Sequence, residues 1–376
     1  MAFERRSDSS RLWRGTFQPS GNSLINRSCV STRGLSIQAS TVHHPVNSLL
    51  SRRLKSWVLA LAVAWLAGCA GIQSSIDPAG EEATQVAGLF WVMTCGGVLI
   101  WVGTVALLLH AAARRRAPVS ESAASRLIFW GGAVFPAVTL ILLLGYALWL
   151  MPSLRPLAQT GAAALRIEVT GKQYWWQVVY HPTGGVPVVS ANEIRVPVGE
   201  RVEFTLRSDD VIHAFWIPAL GGKMDMIPGR ENRLSLLATR PGTFRGPCTE
   251  YCGTSHALMA FSAVAMEPAD FRQWLAAQGA PSAGAAGAGA RLFLRHGCGA
   301  CHAVAGTEAN GTLGPDLSHL GSRETLGAGI LPNSEDNIAR FIAEPDAIKP
   351  GVQMPAFDML PPEDINAIAS WLKRLE

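Results

Sequence analysis

The chain has 376 residues, with 32 Lys and Arg against 28 Asp and Glu, a net charge of +4 and a hydrophobic fraction of 48%. That length holds two or three units at roughly 100–200 residues per domain, and the apolar content points to membrane spans. The small positive excess sits mainly in the N-terminal region and one short loop, which argues against a nucleic-acid partner, and seven cysteines exclude an even disulfide framework.

Residues 1–49 are rich in Ser, Arg and Asn without sustained periodicity. They are expected to be disordered, or a gene-model extension with translation starting near Leu50. Residues 50–68 read as a signal peptide: Arg52, Arg53 and Lys55 form a basic start, and Trp57 to Leu66 is a short apolar run. Leu66-Ala67-Gly68-Cys69 resembles a bacterial lipobox, which makes Cys69 the expected lipidation site. An uncleaved anchor helix with an incidental cysteine is the alternative.

Two further apolar runs, about 87–110 and 127–151, reach the roughly 20 residues that a bilayer-crossing helix needs. They define a hairpin region over 69–160. Arg114, Arg115, Arg116 and Arg126 lie between them, so the positive-inside rule puts that loop in the cytoplasm and everything after Met151 outside. A lipidated Cys69 requires the same orientation. Cys95 and His110 read as ordinary helix residues, and Pro136 is tolerated in a membrane helix.

From Leu165 to about Glu267 the period changes to two. Ile194, Val196 and Val198 alternate with polar residues, and Val202, Phe204 and Leu206 repeat the pattern after a turn at Gly199-Glu200. This reads as a β-sandwich or barrel occupying 161–275. Near its end lies Cys248-Thr249-Glu250-Tyr251-Cys252-Gly253-Thr254-Ser255-His256-Ala257-Leu258-Met259. Two thiolates, an imidazole and a thioether at that spacing suit copper better than zinc, which has no use for Met. The missing ligand must come from a distant strand, and His213 is the candidate. A Cys248–Cys252 disulfide, with His256 solvated and Met259 in the core, is the bland alternative.

Residues 276–290 are almost entirely Ala, Gly, Pro and Ser and read as a flexible linker. The unit 291–376 then opens with a helix-like start, Arg291-Leu292-Phe293-Leu294. Cys298-Gly299-Ala300-Cys301-His302 is a c-type haem attachment signal, with Cys298 and Cys301 bonded to the haem vinyl groups and His302 on the iron. A thioredoxin-like pair or a zinc half-site is the alternative. Gly314-Pro315-Asp316-Leu317 sits where small c-type cytochromes place a haem-packing loop, which brings in Pro315. Lys349-Pro350-Gly351-Val352-Gln353-Met354-Pro355 resembles the loop that supplies the second axial ligand, so Met354 is expected there, ahead of Met359 and His319. A Met/His pair raises a haem potential, as a respiratory donor requires. Ile365, Ile368, Ala369 and Leu372 fall at helical spacing in a closing helix.

The segment 248–259 resembles the dinuclear CuA loop of cytochrome c oxidase subunit II. Residues 210–218 and Lys223-Met224-Asp225-Met226-Ile227-Pro228-Gly229-Arg230 resemble the rest of that copper domain, and the helix hairpin resembles its anchor. The resemblance covers roughly 87–275. It implies an all-β cupredoxin-like Greek-key sandwich between the transmembrane hairpin and a small all-α class I cytochrome c domain. It also implies that Cys248 and Cys252 bridge two coppers, that His213 and His256 each bind one, and that Met259 and the Glu250 carbonyl complete them. The Glu250 side chain then faces a magnesium site shared with the catalytic subunit. Tyr174 stands where the family usually has the tryptophan that receives electrons from cytochrome c, in Gln173-Tyr174-Trp175-Trp176, and the resemblance makes Tyr174, Trp175 and Trp176 the electron-entry candidates. Arg126 and Leu127 stand where a carboxylate often precedes the second helix's Trp. With the cytochrome domain added, the chain resembles caa3-type subunit II. That implies a multi-pass subunit of the bacterial plasma membrane, its metal domains periplasmic, delivering electrons from cytochrome c or another donor to haem a in subunit I, where haem a3-CuB reduces oxygen, alongside subunit III. A nitric oxide reductase subunit with CuA, or a copper chaperone or carrier, are the competing readings.

Overall fold

The computed structural model describes residues 71–113, 120–154, 165–282 and 284–376. The extension 1–49, the signal-like segment 50–68, Cys69, and Arg114, Arg115 and Arg116 lie outside the described residues.

Two apolar helical runs come first. One is α1 (Glu81–Ala113); the other joins α2 (Glu121–Leu127), a π-helical stretch (Ile128–Val134) and α3 (Phe135–Leu150). Each is long and apolar enough to cross a membrane. Both start about six residues earlier than the apolar pattern indicates. That pattern reports only the lipid-facing stretch, whereas acidic residues are favoured in a first helical turn, where Glu81, Glu82 and Glu121 sit. The π-stretch has a local cause. Pro136 has no N–H, and its ring crowds the carbonyl one turn back. The ladder opens there, with the Phe135 N–H reaching Trp130 O.

The start of α1 is joined to the β domain. The amides of Ala79 and Ala83 donate to Ala219 O and Leu220 O at 2.7 and 3.1 Å. Gly80 is needed here, because a Cβ would lie 2.3 Å from Leu220 O. Arg201 pairs with Glu81 and Glu82, and Glu82 also accepts the Leu237 amide.

The β domain holds a five-stranded sheet, β3-β2-β1-β5-β8, facing a three-stranded one, β4-β10-β9. The strands are β1 (Leu165–Lys172), β2 (Trp175–Pro182), β3 (Val188–Ala191), β4 (Glu193–Pro197), β5 (Arg201–Ser208), β8 (Asn232–Leu237), β9 (Gly242–Pro247) and β10 (Ala260–Met266). A separate pair, β6 (His213–Phe215) and β7 (Met224–Met226), precedes β8. The expected sandwich is present. Ile194 and Val196 are buried from one sheet and Val202, Phe204 and Leu206 from the other, so the turn at Gly199 (φ +74°) carries the chain between layers. Trp176, Phe204, Phe215 and Phe261 fill the middle, with Phe215 and Phe261 stacked at 4.9 Å. Helix α4 (Pro268–Gln278) adds Phe271 and Trp274 beside Tyr180.

The last domain is helical: α5 (Ala288–Arg295), α6 (Glu335–Ala343), the single turn α7 (Pro345–Ile348) and α8 (Pro362–Lys373), with a two-stranded pair β11 (Thr325–Leu326) and β12 (Leu331–Pro332). Ile365, Ile368, Ala369 and Leu372 are buried as the helical spacing requires. Helix α5 crosses α8 at Gly289, where a Cβ would lie 2.2 Å from the Trp371 Cβ.

The Ala/Gly segment departs from expectation. It was read as a flexible linker to residue 290, but α5 begins at Ala288. Ser282 and Ala285 are buried, and Trp371 Nε1 donates to Gly284 O at 2.8 Å. Small residues leave a backbone free in isolation, yet the same lack of side chains lets it lie flush on α8.

Candidate metal and haem sites

Segment 248–259 connects β9 to β10, and its base is pinned by the Cys248 amide donating to Met259 O at 2.8 Å. β6 rises beside it and presents His213, fully buried, with its ring 6.0 Å from that of Trp176. Cys248 Sγ lies 3.8 Å from His213 Nδ1, 3.9 Å from Cys252 Sγ and 3.3 Å from Glu250 O. Cys252 Sγ lies 3.6 Å from His256 Nδ1 and 3.9 Å from Met259 Sδ. All six donors named from the sequence thus converge on one cluster. Two thiols, two imidazole nitrogens, a thioether and a carbonyl form a soft set that fits copper.

The surroundings fix the donors. Asp210 Oδ1 lies 2.7 Å from His213 Nε2, which leaves Nδ1 for the cluster. Burial depresses the His213 pKa, but hydrogen bonds to Cys248 and Asp210 outweigh it and raise it overall. The hydrogen bond between the two thiols holds the Cys248 pKa well below the usual thiol range, and Cys252 moves the opposite way. Gln173 Nε2 donates to Cys252 O at 2.6 Å, and its amide donates to Asp210 Oδ2 at 2.6 Å. One residue at the β1–β2 turn therefore braces both the loop and the carboxylate behind His213.

The other sequence candidates fall in different places. Trp176 is core, and Trp175 is half-buried under Lys172, whose Nζ is 5.4 Å from its ring. Tyr174 is only 7% exposed, with its hydroxyl against Gly253. The Glu250 carboxylate is half-exposed and 3.4 Å from Lys223 Nζ, which also pairs with Asp225.

In the helical domain Cys298 and Cys301 flank a short 3-10 turn, with His302 next in the chain. His302 Nδ1 donates to Pro315 O at 2.7 Å, which fixes the tautomer and leaves Nε2 free for iron. Burial lowers its pKa, which favours the neutral ring that an iron ligand needs. Gly314 is required beside it, since a Cβ would lie 2.5 Å from the imidazole. Met354 packs against the domain's core, whereas Met359 is 71% exposed and His319 Nε2 is 3.0 Å from Ala280 O. A neutral imidazole with a free Nε2, two adjacent thiols and an inward Met fit a covalent haem.

Sequence reasoning missed the roles of Gln173, Asp210, Ser255 and Lys349. Asp210 carried a signal, its position three residues before His213. The others act on segments far away in the chain.

Two family descriptions match the chain: the periplasmic domain of cytochrome c oxidase subunit II over residues 183–266, and cytochrome c over 286–376. Cytochrome c oxidase subunit 2 of Alkalihalophilus pseudofirmus is 33% identical over 336 residues, which is 85% of this chain and 96% of that protein. The Bacillus subtilis protein of the same name is 30% identical, over 86% of this chain and 99% of its own length. The crystal structure of the periplasmic domain of subunit II of cytochrome oxidase from Bradyrhizobium japonicum is 34% identical, with a TM-score of 0.30, over 32% of this chain and 96% of that one.

Proposed function

This chain belongs to the cytochrome c oxidase subunit 2 family, with a cytochrome c domain fused at its C-terminal end in the caa3 manner, and we propose that it delivers electrons to a haem-copper terminal oxidase. His213, Cys248, Cys252, His256, Met259 and the Glu250 carbonyl would hold two copper ions. Cys298, Cys301, His302 and Met354, with Pro315 behind the histidine, would hold one haem c. When bound, these groups supply one-electron transfer from cytochrome c or another donor toward haem a in subunit I, where oxygen is reduced.

The chain's own part is orientation and exclusion of water. Asp210 and the Pro315 carbonyl each hold one imidazole in a single tautomer. Gln173 holds the copper loop against β1 and β2. Rigid donors serve an electron relay, because a site that need not rearrange on reduction wastes no motion. The Glu250 carboxylate is the proposed magnesium ligand at the subunit I interface, and subunit III completes the complex. The two apolar helical runs support placing the chain in a membrane, and we place it as a multi-pass protein of the bacterial plasma membrane, with both metal domains periplasmic and Cys69 lipidated.

The observation that carries this reading is the convergence of His213 with the donors of 248–259 in one cluster. The test is a visible and near-infrared spectrum of the purified chain, with copper counted per haem. Two coppers per covalent haem and a mixed-valence near-infrared band are expected. One copper or none would remove the dinuclear assignment.

A further inference from the structure

The two site-bearing domains meet beside the copper loop. Lys349 Nζ donates to the carbonyl of Tyr174 in the β domain at 2.7 Å and to that of Gly327 in the cytochrome domain at 2.6 Å. Ser255, between Cys252 and His256 in the loop, donates to Pro350 O at 2.6 Å. The Ala260 amide, directly after Met259, donates to Ala328 O at 2.9 Å. Gly351 lies over the Tyr174 ring and Thr254, with a Cβ position 3.6 Å from each. Lys349, Tyr174 and Ser255 are 3%, 7% and 0% exposed.

A buried ammonium is costly unless it is paired. Lys349 has no carboxylate within ion-pair distance among the described residues, and burial pushes its pKa down to about 7. An apolar side chain of similar volume would fill the space at lower cost. What only the Nζ amine supplies, charged or neutral, is a donor that bridges carbonyls of two domains. Its position in the chain adds to this: the Pro350 carbonyl meets the copper loop, the Gly351 amide is fixed by Asp346 Oδ1 at 2.7 Å, and Met354 follows.

We propose that Lys349 is a positioning residue: it latches the loop bearing Met354 onto the β1–β2 turn at Tyr174, beside the copper loop, and so closes that face of the copper domain to any other electron donor. The inference rests on the copper and haem assignments above.

The test uses the full chain in its oxidase complex, comparing wild type with Lys349→Ala and Lys349→Arg. Two readouts are needed: hydrogen exchange of the Ala260 amide, and the rate of copper reduction after photoreduction of haem c. Loss of the two Nζ hydrogen bonds is expected to raise exchange and to slow transfer by about tenfold or more each, with haem and copper content unchanged. Lys349→Arg restores most of both. Wild-type exchange and wild-type transfer in Lys349→Ala would overturn the latch, and so would raised exchange with an unchanged rate. If Lys349→Ala loses haem or copper, Ser255→Ala removes another cross-domain side-chain bond, the one at the copper loop, and is judged by the same outcomes. A wild-type chain without copper would sink the proposed function instead, and Ala260 exchange would still decide the latch.

Discussion

The proposed copper cluster takes Cys248, Glu250, Cys252, His256 and Met259 from one loop and only His213 from elsewhere, whereas the proposed haem site draws His302 and Met354 from well-separated loops of its domain. The loop rests on a sandwich whose centre is an aromatic stack of Trp176, Phe215 and Phe261. The cytochrome domain is small, and several residues near its haem ligands are only partly buried, among them Leu294, Leu317 and Phe357. A β core can hold donors in place by itself, while a small helical domain needs its prosthetic group to complete the core.

The sharpest way to break that comparison is to remove each cofactor. Cys298→Ala with Cys301→Ala is expected to abolish covalent haem and the cooperative unfolding of the cytochrome domain in calorimetry. Stripping copper with a chelator should leave the β domain's own transition in place. A haemless domain that still melts cooperatively would contradict the contrast. The next largest effect is in the aromatic stack. Phe261→Ala should cost the β domain about 3–5 kcal/mol in denaturant unfolding, because the ring is fully buried and the stacked neighbours cannot collapse into the gap. Asp210→Asn tests how rigidly His213 is held: copper affinity, measured by chelator competition, should fall about 10–100-fold with the fold intact.

A further effect is a pH dependence at the domain junction. Lys349 has a pKa of about 7 when docked and roughly 10.4 when free in solvent. Between those values the undocked state binds more protons, so docking strengthens as pH rises from about 7 and is weakest below it. Ala260 exchange, corrected for the intrinsic rate, should slow across that window. A flat profile would show that Lys349 titrates independently of docking.

Much of this was legible because its chemistry is local. Cys-x3-Cys-x3-His-x2-Met and Cys-x-x-Cys-His each compress their donors into a few residues, and period-two alternation at Val202, Phe204 and Leu206 marked a buried sheet face. The junction was not legible. Lys349 and Tyr174 lie 175 residues apart, and a lysine in a Pro-Gly loop reads as a surface charge. The segment before α5 misled for the related reason that Ala and Gly composition reports freedom in isolation. The order at Gly284 and Ala285 comes from α8, far along the chain. Trp176, read as a place for electrons to arrive, lies in the core because its alternation within β2 points it inward.

The joint at Gly80 has a mechanical consequence. Helix α1 has 33 residues, about 50 Å of rod against a hydrocarbon layer about 30 Å thick, and its upper end is bolted to Arg201 and Leu220. The surplus length therefore makes α1 a stiff mast fixed at its first turn to the domain that carries the proposed copper donors. A change in bilayer thickness would then be met by tilt of that mast, with the joint at Gly80 unchanged.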